Sequence, residues 1–130
     1  MIFRFKRKNP RVFVIGLDGV PYSLVKKFSE DGTWTFMEKL QKNGALRPME
    51  VTLPEVSAVS WPSFMTGKNP AEHGIYGFTD FKENSYELHY NNFNDLKSPT
   101  FWDRLGERKK QCIIINQPGT YPARPIPGIL

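Results

Sequence analysis

Residues 12–17, Val12-Phe13-Val14-Ile15-Gly16-Leu17, form an unbroken apolar run that closes on Asp18-Gly19. Without polar alternation, an extended segment has no face to offer water. Such a run reads as a central strand covered on both sides, the kind found in parallel sheets flanked by helices. The next residues change period. Leu24, Val25 and Phe28 recur at helical spacing within residues 21–29, and Asp31-Gly32 breaks the pattern. Thr35 with Glu38 three residues later reads as a capping box, opening a helix with Phe36, Met37 and Leu40. That helix is expected to stop in a left-handed turn at Asn43-Gly44. Residues 45–53 read as a second strand, and residues 61–66 as a short helix ending at Gly67. Residues 78–88 look like a loop or hairpin. Ser98-Pro99-Thr100 opens a further helix with Phe101, Trp102 and Leu105 inward, and the apolar residues 111–116 read as a third strand. Strands alternating with helices predict an α/β fold with a mostly parallel sheet.

At 130 residues the chain suits one modest domain, and 39% hydrophobic with 14% aromatic residues supplies a core. The net charge of +5 gathers in two groups. Arg4, Lys6, Arg7, Lys8 and Arg11 form a basic tail over residues 1–10 and its edge; Arg104, Arg108, Lys109 and Lys110 lie near the second helix-to-strand passage. Both read as solvated surface, although such charge also draws phosphate-bearing substrates. No nucleic-acid motif accompanies it, so no nucleic-acid partner is expected. The single Cys112 sits in the apolar Cys112-Ile113-Ile114-Ile115 and reads as a core thiol rather than a nucleophile. A lone cysteine, no signal-peptide core and no apolar run of spanning length lead to the expectation of a cytoplasmic protein with no membrane span.

Two side chains carry the chemical interest. Asp18 closes the first expected strand, and in open α/β sheets ligands bind beyond the carboxyl ends of strands. A carboxylate there can hold a cation; it can equally cap the next helix or accept a loop amide. Ser57 lies in Leu53-Pro54-Glu55-Val56-Ser57-Ala58-Val59-Ser60-Trp61-Pro62. A serine at a helix start can simply accept a backbone N–H. The same position puts its hydroxyl in the positive field of the helix N-terminus, which favours an alkoxide and an incoming phosphate. If Ser60 is the cap, Pro62 falls in the first turn, where its missing N–H is harmless, and Ser57 stands just ahead of the helix.

Four segments taken together carry a resemblance. They are Gly16-Leu17-Asp18-Gly19, Pro54-Glu55-Val56-Ser57, Trp61-Pro62-Ser63-Phe64-Met65-Thr66-Gly67 and Asn69-Pro70-Ala71-Glu72-His73-Gly74-Ile75. In this combination and order the chain resembles the alkaline phosphatase superfamily, in its type I phosphodiesterase and nucleotide pyrophosphatase branch, nearest a group of phosphohydrolases and phosphomutases. The resemblance implies a three-layer α/β/α fold, of which residues 1–130 would be the N-terminal portion of a single domain. It implies Ser57 as the nucleophile that forms a phosphoenzyme, later resolved by water, and Asp18 as a metal ligand. Ser57 would also face the metals. The cofactors implied are two divalent ions, usually zinc, and the partner is a small phosphoester substrate. Paired cations stabilise both the attacking and the leaving oxygen of an in-line displacement.

This chain departs from the branch in two respects. The asparagine that contacts phosphate in nucleotide pyrophosphatases, 21 residues after the nucleophile, falls on Phe78, with Thr79 and Asp80 as neighbouring candidates. The bimetal centre draws most of its Asp and His ligands from a later part of the family's chain, whereas His73 and His89 are the two histidines here. The ending Gly128-Ile129-Leu130 reads as a strand cut short, so a truncated chain with little activity of its own is expected. His73 is expected to fix a turn through a hydrogen bond, His89 to lie at the surface, Trp61 and Phe64 to join the core, and Lys68 to be a solvated loop lysine. Residues 116–122 are a candidate site-lining segment. The competing functions are a phosphomutase on the same scaffold and a non-catalytic α/β binding module. Sulfatase chemistry is disfavoured, since Ser57-Ala58-Val59-Ser60-Trp61 lacks the Pro and Arg of that signature.

Overall fold

Segments with helical spacing become helices, and the computed structural model describes residues 11–130. The basic tail expected at residues 1–10 lies outside the described residues. The chain divides into two units, Met1–Pro48 and Met49–Leu130.

In the first unit, α1 (Tyr22–Glu30) and α2 (Thr35–Asn43) form a helical pair. Val25 and Ser29 are buried on α1, and the Ser29 hydroxyl donates to the Val25 carbonyl at 2.7 Å. The break falls where Asp31-Gly32 predicts it. Asp31 Oδ1 accepts the Thr33 N–H, Trp34 N–H returns to the Phe28 carbonyl, and the Phe28 and Trp34 rings meet edge to face at 5.4 Å. The expected capping box does not form. Trp34 is the N-cap and Thr35 is already helical, so Glu38 turns instead to Lys42 one helical turn on. Gly44 closes α2 in an extended conformation rather than a left-handed one.

The second unit carries α3 (Ser57–Thr66), α4 (Pro70–His73), an antiparallel hairpin of β1 (Thr79–Phe81) and β2 (Leu88–Tyr90), a 3₁₀ turn at Phe93–Asp95, α5 (Phe101–Glu107), and a parallel pair of β3 (Cys112–Ile113) and β4 (Gly128–Ile129). Three of its elements open with the same reciprocal device. Asn69 with Glu72, Asn92 with Asp95 and Thr100 with Asp103 each satisfy two end amides that would otherwise lack partners. The core packs Met65, Ile75, Phe93, Leu96 and Trp102, against which Phe101, Cys112, Ile114, Ile126 and Leu130 lean. Phe101 stands edge to face on Trp102 at 4.9 Å. The Arg124 guanidinium lies 4.1 Å above the Phe93 ring and donates to the Phe93 carbonyl, covering that side of the core.

The molecule therefore mixes helices with small sheets, and among the described residues the sheets are two-stranded, one of them antiparallel. This differs from the expected mostly parallel sheet. Residues 12–17 stand outside any ladder, with Val12 81% and Ile15 84% exposed. Residues 45–53 are likewise unpaired, and the third expected strand is reduced to Cys112–Ile113. The physical reason is the demand of such runs: a strand apolar on both faces needs a partner at its edges and a layer over each face. Apolar content without those partners does not create a strand. Cys112 is half-buried, and Phe64 is 44% exposed rather than in the core. The second basic group, Arg104, Arg108, Lys109 and Lys110, is exposed as expected. Among the described residues no helix is long and apolar enough to cross a membrane.

Candidate functional site

Asp18 belongs to the first unit. It stands in a turn with Gly19, exposed, three residues ahead of the Pro21 N-cap of α1. Gly19 has φ +68°, a left-handed conformation with nothing within 4 Å of a would-be Cβ, so backbone strain rather than crowding reserves this position for glycine. The chain turns sharply there, and the carboxylate is carried at the head of a helix.

Ser57 belongs to the second unit and is the first residue of α3. The helix thus starts earlier than a Ser60 cap requires. Val56 is the N-cap, its carbonyl accepting from Val59 and Ser60, and Pro62 lies inside the helix, buried. The entering loop is held by Thr52 Oγ1 against Ser60 Oγ at 3.2 Å and by Val56 N–H on the Pro54 carbonyl. At the other end Gly67 adopts φ +64° and donates to the Ser63 carbonyl, the left-handed stop that the sequence predicts. A ten-residue helix so terminated projects its first-turn amides and their partial positive charge toward the half-buried Ser57.

The seat of α3 depends on His73. This ring is fully buried. Its Nδ1 accepts the Ile75 N–H at 3.1 Å, so the neutral ring carries its proton on Nε2, which faces Ser63 Oγ at 2.9 Å. The His73 carbonyl accepts the Lys97 N–H. One residue thereby ties α3, α4 and the approach to α5, its side chain fixing the turn as expected and its carbonyl reaching Lys97. Burial pushes its pKa below the usual 6.5, with Glu72 opposing the shift. Lys68 pairs with Glu72 at 2.6 Å, and this bond, with the Asn69 N–H, holds the Glu72 carboxyl below its ordinary value. His89 is half-buried, its Nε2 3.5 Å from Asp95 Oδ1.

Ser57 also opens onto a cavity of about 190 Å³. Its floor is apolar and buried, with Met65, Ile75 and Leu96; Trp61, Phe78 and Tyr90 stand at its walls. Pro118 and Gly119 close another side, so the segment over residues 116–122 does reach this place. Phe78 occupies the cavity wall, while Thr79 and Asp80 are exposed in β1, where Asp80 Oδ1 accepts the Phe81 N–H. The contributions of Tyr90 and Leu96 were not foreseeable from spacing. They arrive through the hairpin and the 3₁₀ turn, neither of which has a periodic signal.

Among the described residues no group of three or more His, Cys, Asp or Glu side chains is placed to hold a metal ion. These residues by themselves do not complete a metal site.

The family model described as type I phosphodiesterase / nucleotide pyrophosphatase matches residues 12–129. No curated protein and no solved structure matches the chain.

Proposed function

Because the chain belongs to the type I phosphodiesterase / nucleotide pyrophosphatase family, a family of phosphoester hydrolases, we propose that it carries the nucleophile of a metal-dependent phosphoesterase and that Ser57 is this nucleophile. The observation that carries the reading is the position of Ser57: half-buried, first in α3, and on the wall of a cavity of about 190 Å³. A phosphoryl group brought to that hydroxyl meets the positive end of the helix, which stabilises charge on the equatorial oxygens. The Ser57 hydroxyl gives up its proton as its oxygen bonds to phosphorus, and the ester oxygen departs with the electron pair of its P–O bond and takes up a proton by way of solvent. Water then attacks the serine phosphoester, returning the hydroxyl and releasing phosphate or a phosphomonoester.

Asp18 is proposed as a metal ligand, with the Ser57 oxygen as a second, in a centre of two divalent ions for which zinc is the expected element. The remaining ligands are proposed to come from outside this chain, and the 130 residues are then the N-terminal portion of one α/β/α domain with a largely parallel sheet. In that setting residues 12–17 gain the strand partners that their composition demands. Bound ions would supply charge neutralisation at the phosphoryl oxygens; the helix field and the positioning of the hydroxyl are what this chain supplies.

The test is activity with metal binding measured beside it. Where the proposed metal centre is assembled, Ser57→Ala should abolish turnover of a phosphodiester while bound zinc, read by elemental analysis, stays near the unaltered amount. Retained turnover removes Ser57 from the mechanism.

A further inference from the structure

The cavity beside Ser57 has the wrong lining for a polar heterocycle. Its floor is Met65, Ile75 and Leu96, all buried, and two exposed aromatics stand at its mouth, Phe78 at 63% and Tyr90 at 80%. Large aromatics held at the edge of an apolar hollow are poised to take up a flat ring. Two of the polar side chains that border the hollow, Asn91 and Asn92, each commit one atom to the backbone. Asn91 Nδ2 donates to the Gly77 carbonyl at 2.9 Å, and Asn92 Oδ1 accepts the Asn94 N–H at 2.9 Å. A purine would bring several ring nitrogens and an exocyclic group into this hollow, and each would lose water without a matching partner. The hollow also has room for a ring. An apolar cavity of about 150 Å³ holds one benzene ring, and this one is about 190 Å³.

From lining and size together we infer that the pocket receives a single, weakly polar aromatic ring, and that the substrate is an aryl phosphoester whose ring sits between Phe78 and Tyr90 with its ester oxygen toward Ser57. The word ester rests on the reading of Ser57 as nucleophile; the ring pocket does not. It is the presence of Phe78, where a phosphate-contacting asparagine is expected in nucleotide-cleaving relatives, that turns this wall apolar.

The experiment measures binding without turnover, so that it stands apart from the fate of Ser57. Phenol, its hydroxyl in place of the ester oxygen, is titrated into the 130-residue chain with ligand-observed saturation-transfer NMR, and adenosine is titrated in parallel. Saturable phenol binding is expected, at least tenfold tighter than adenosine. Phe78→Ala, at a largely exposed position that folding tolerates, should weaken phenol by about tenfold, the scale of one lost aromatic contact with its buried area. Phe81→Ala, an exposed aromatic of the same hairpin that does not line the cavity, should leave phenol binding within twofold. The inference is overturned by an absence of saturable phenol binding, by adenosine binding within tenfold of phenol or more tightly, by a loss under threefold in Phe78→Ala, or by a loss over twofold in Phe81→Ala. Failure of Ser57→Ala to stop turnover, with these binding results intact, would remove the nucleophile and leave the ring pocket.

Discussion

Ser63→Ala deletes one oxygen and leaves the His73 ring without its partner. The His73 Nε2–H faces Ser63 Oγ at 2.9 Å, and the ring is fully buried. The burial of the ring limits replacement of that bond by water, although Ser63 itself is half-buried. A buried donor left unsatisfied costs about 1–3 kcal/mol. Stability of a domain this size is of the order of 5–15 kcal/mol in total, so the change is large enough to measure. Urea unfolding of the chain at pH 7.5 should move its midpoint down with an unchanged slope, by an amount equivalent to that loss. Acid should act on the ring's other bond. Nδ1 accepts the Ile75 N–H, so a second ring proton would point at another donor. Burial accordingly holds the folded pKa below 6.5. The unfolded ring takes its proton first as pH falls, so the His73 contribution is complete above about 6.5 and declines as pH drops toward the folded value. An NMR titration separates His73 from His89 and reads this directly. A Ser63→Ala loss below about 0.5 kcal/mol, against the 1–3 expected for an orphaned donor, or a His73 that titrates above 6.5, would refute the argument.

Three further outcomes follow from the same structure. The 130-residue chain alone, supplied with zinc, should turn over p-nitrophenyl phosphate esters little or not at all; brisk metal-dependent release of nitrophenolate would contradict this. Gly67→Ala forces a side chain into φ +64° at the end of α3 and should cost about 1–2 kcal/mol in denaturant unfolding. Trp102→Ala empties the centre of the second unit, where Trp102 is 1% exposed, and should cost about 3–5 kcal/mol, enough to leave the unit poorly folded by near-ultraviolet circular dichroism.

Local chemistry was the legible part of the sequence. Thr100 before an apolar helical pattern, Gly67 after one and Asp31-Gly32 between two are decided within a few residues, and each appears where expected. The Thr35–Glu38 box failed by one residue: Trp34 is the N-cap, so Thr35 is already helical and Glu38 is left to pair with Lys42. Non-local demands were less legible. Residues 12–17 have the composition of a buried strand, but pairing and coverage come from elsewhere in space, and composition does not guarantee them. Ser57 and Asp18, each in its own unit, were marked by motif spacing. Tyr90 and Leu96 were not, because the hairpin and the turn that bring them to Ser57 are set by side-chain caps such as Asn92–Asp95.

The central claim is that the oxygen at the start of α3 takes the phosphoryl group. Rapid acid quenching of the active, metal-loaded protein during turnover of a ³²P-labelled phosphodiester, followed by peptide mapping, measures this most directly. The account predicts label on the peptide bearing Ser57 and none after Ser57→Ala. Label on a different residue, or steady turnover with no protein-bound phosphate at any quench time, would contradict it.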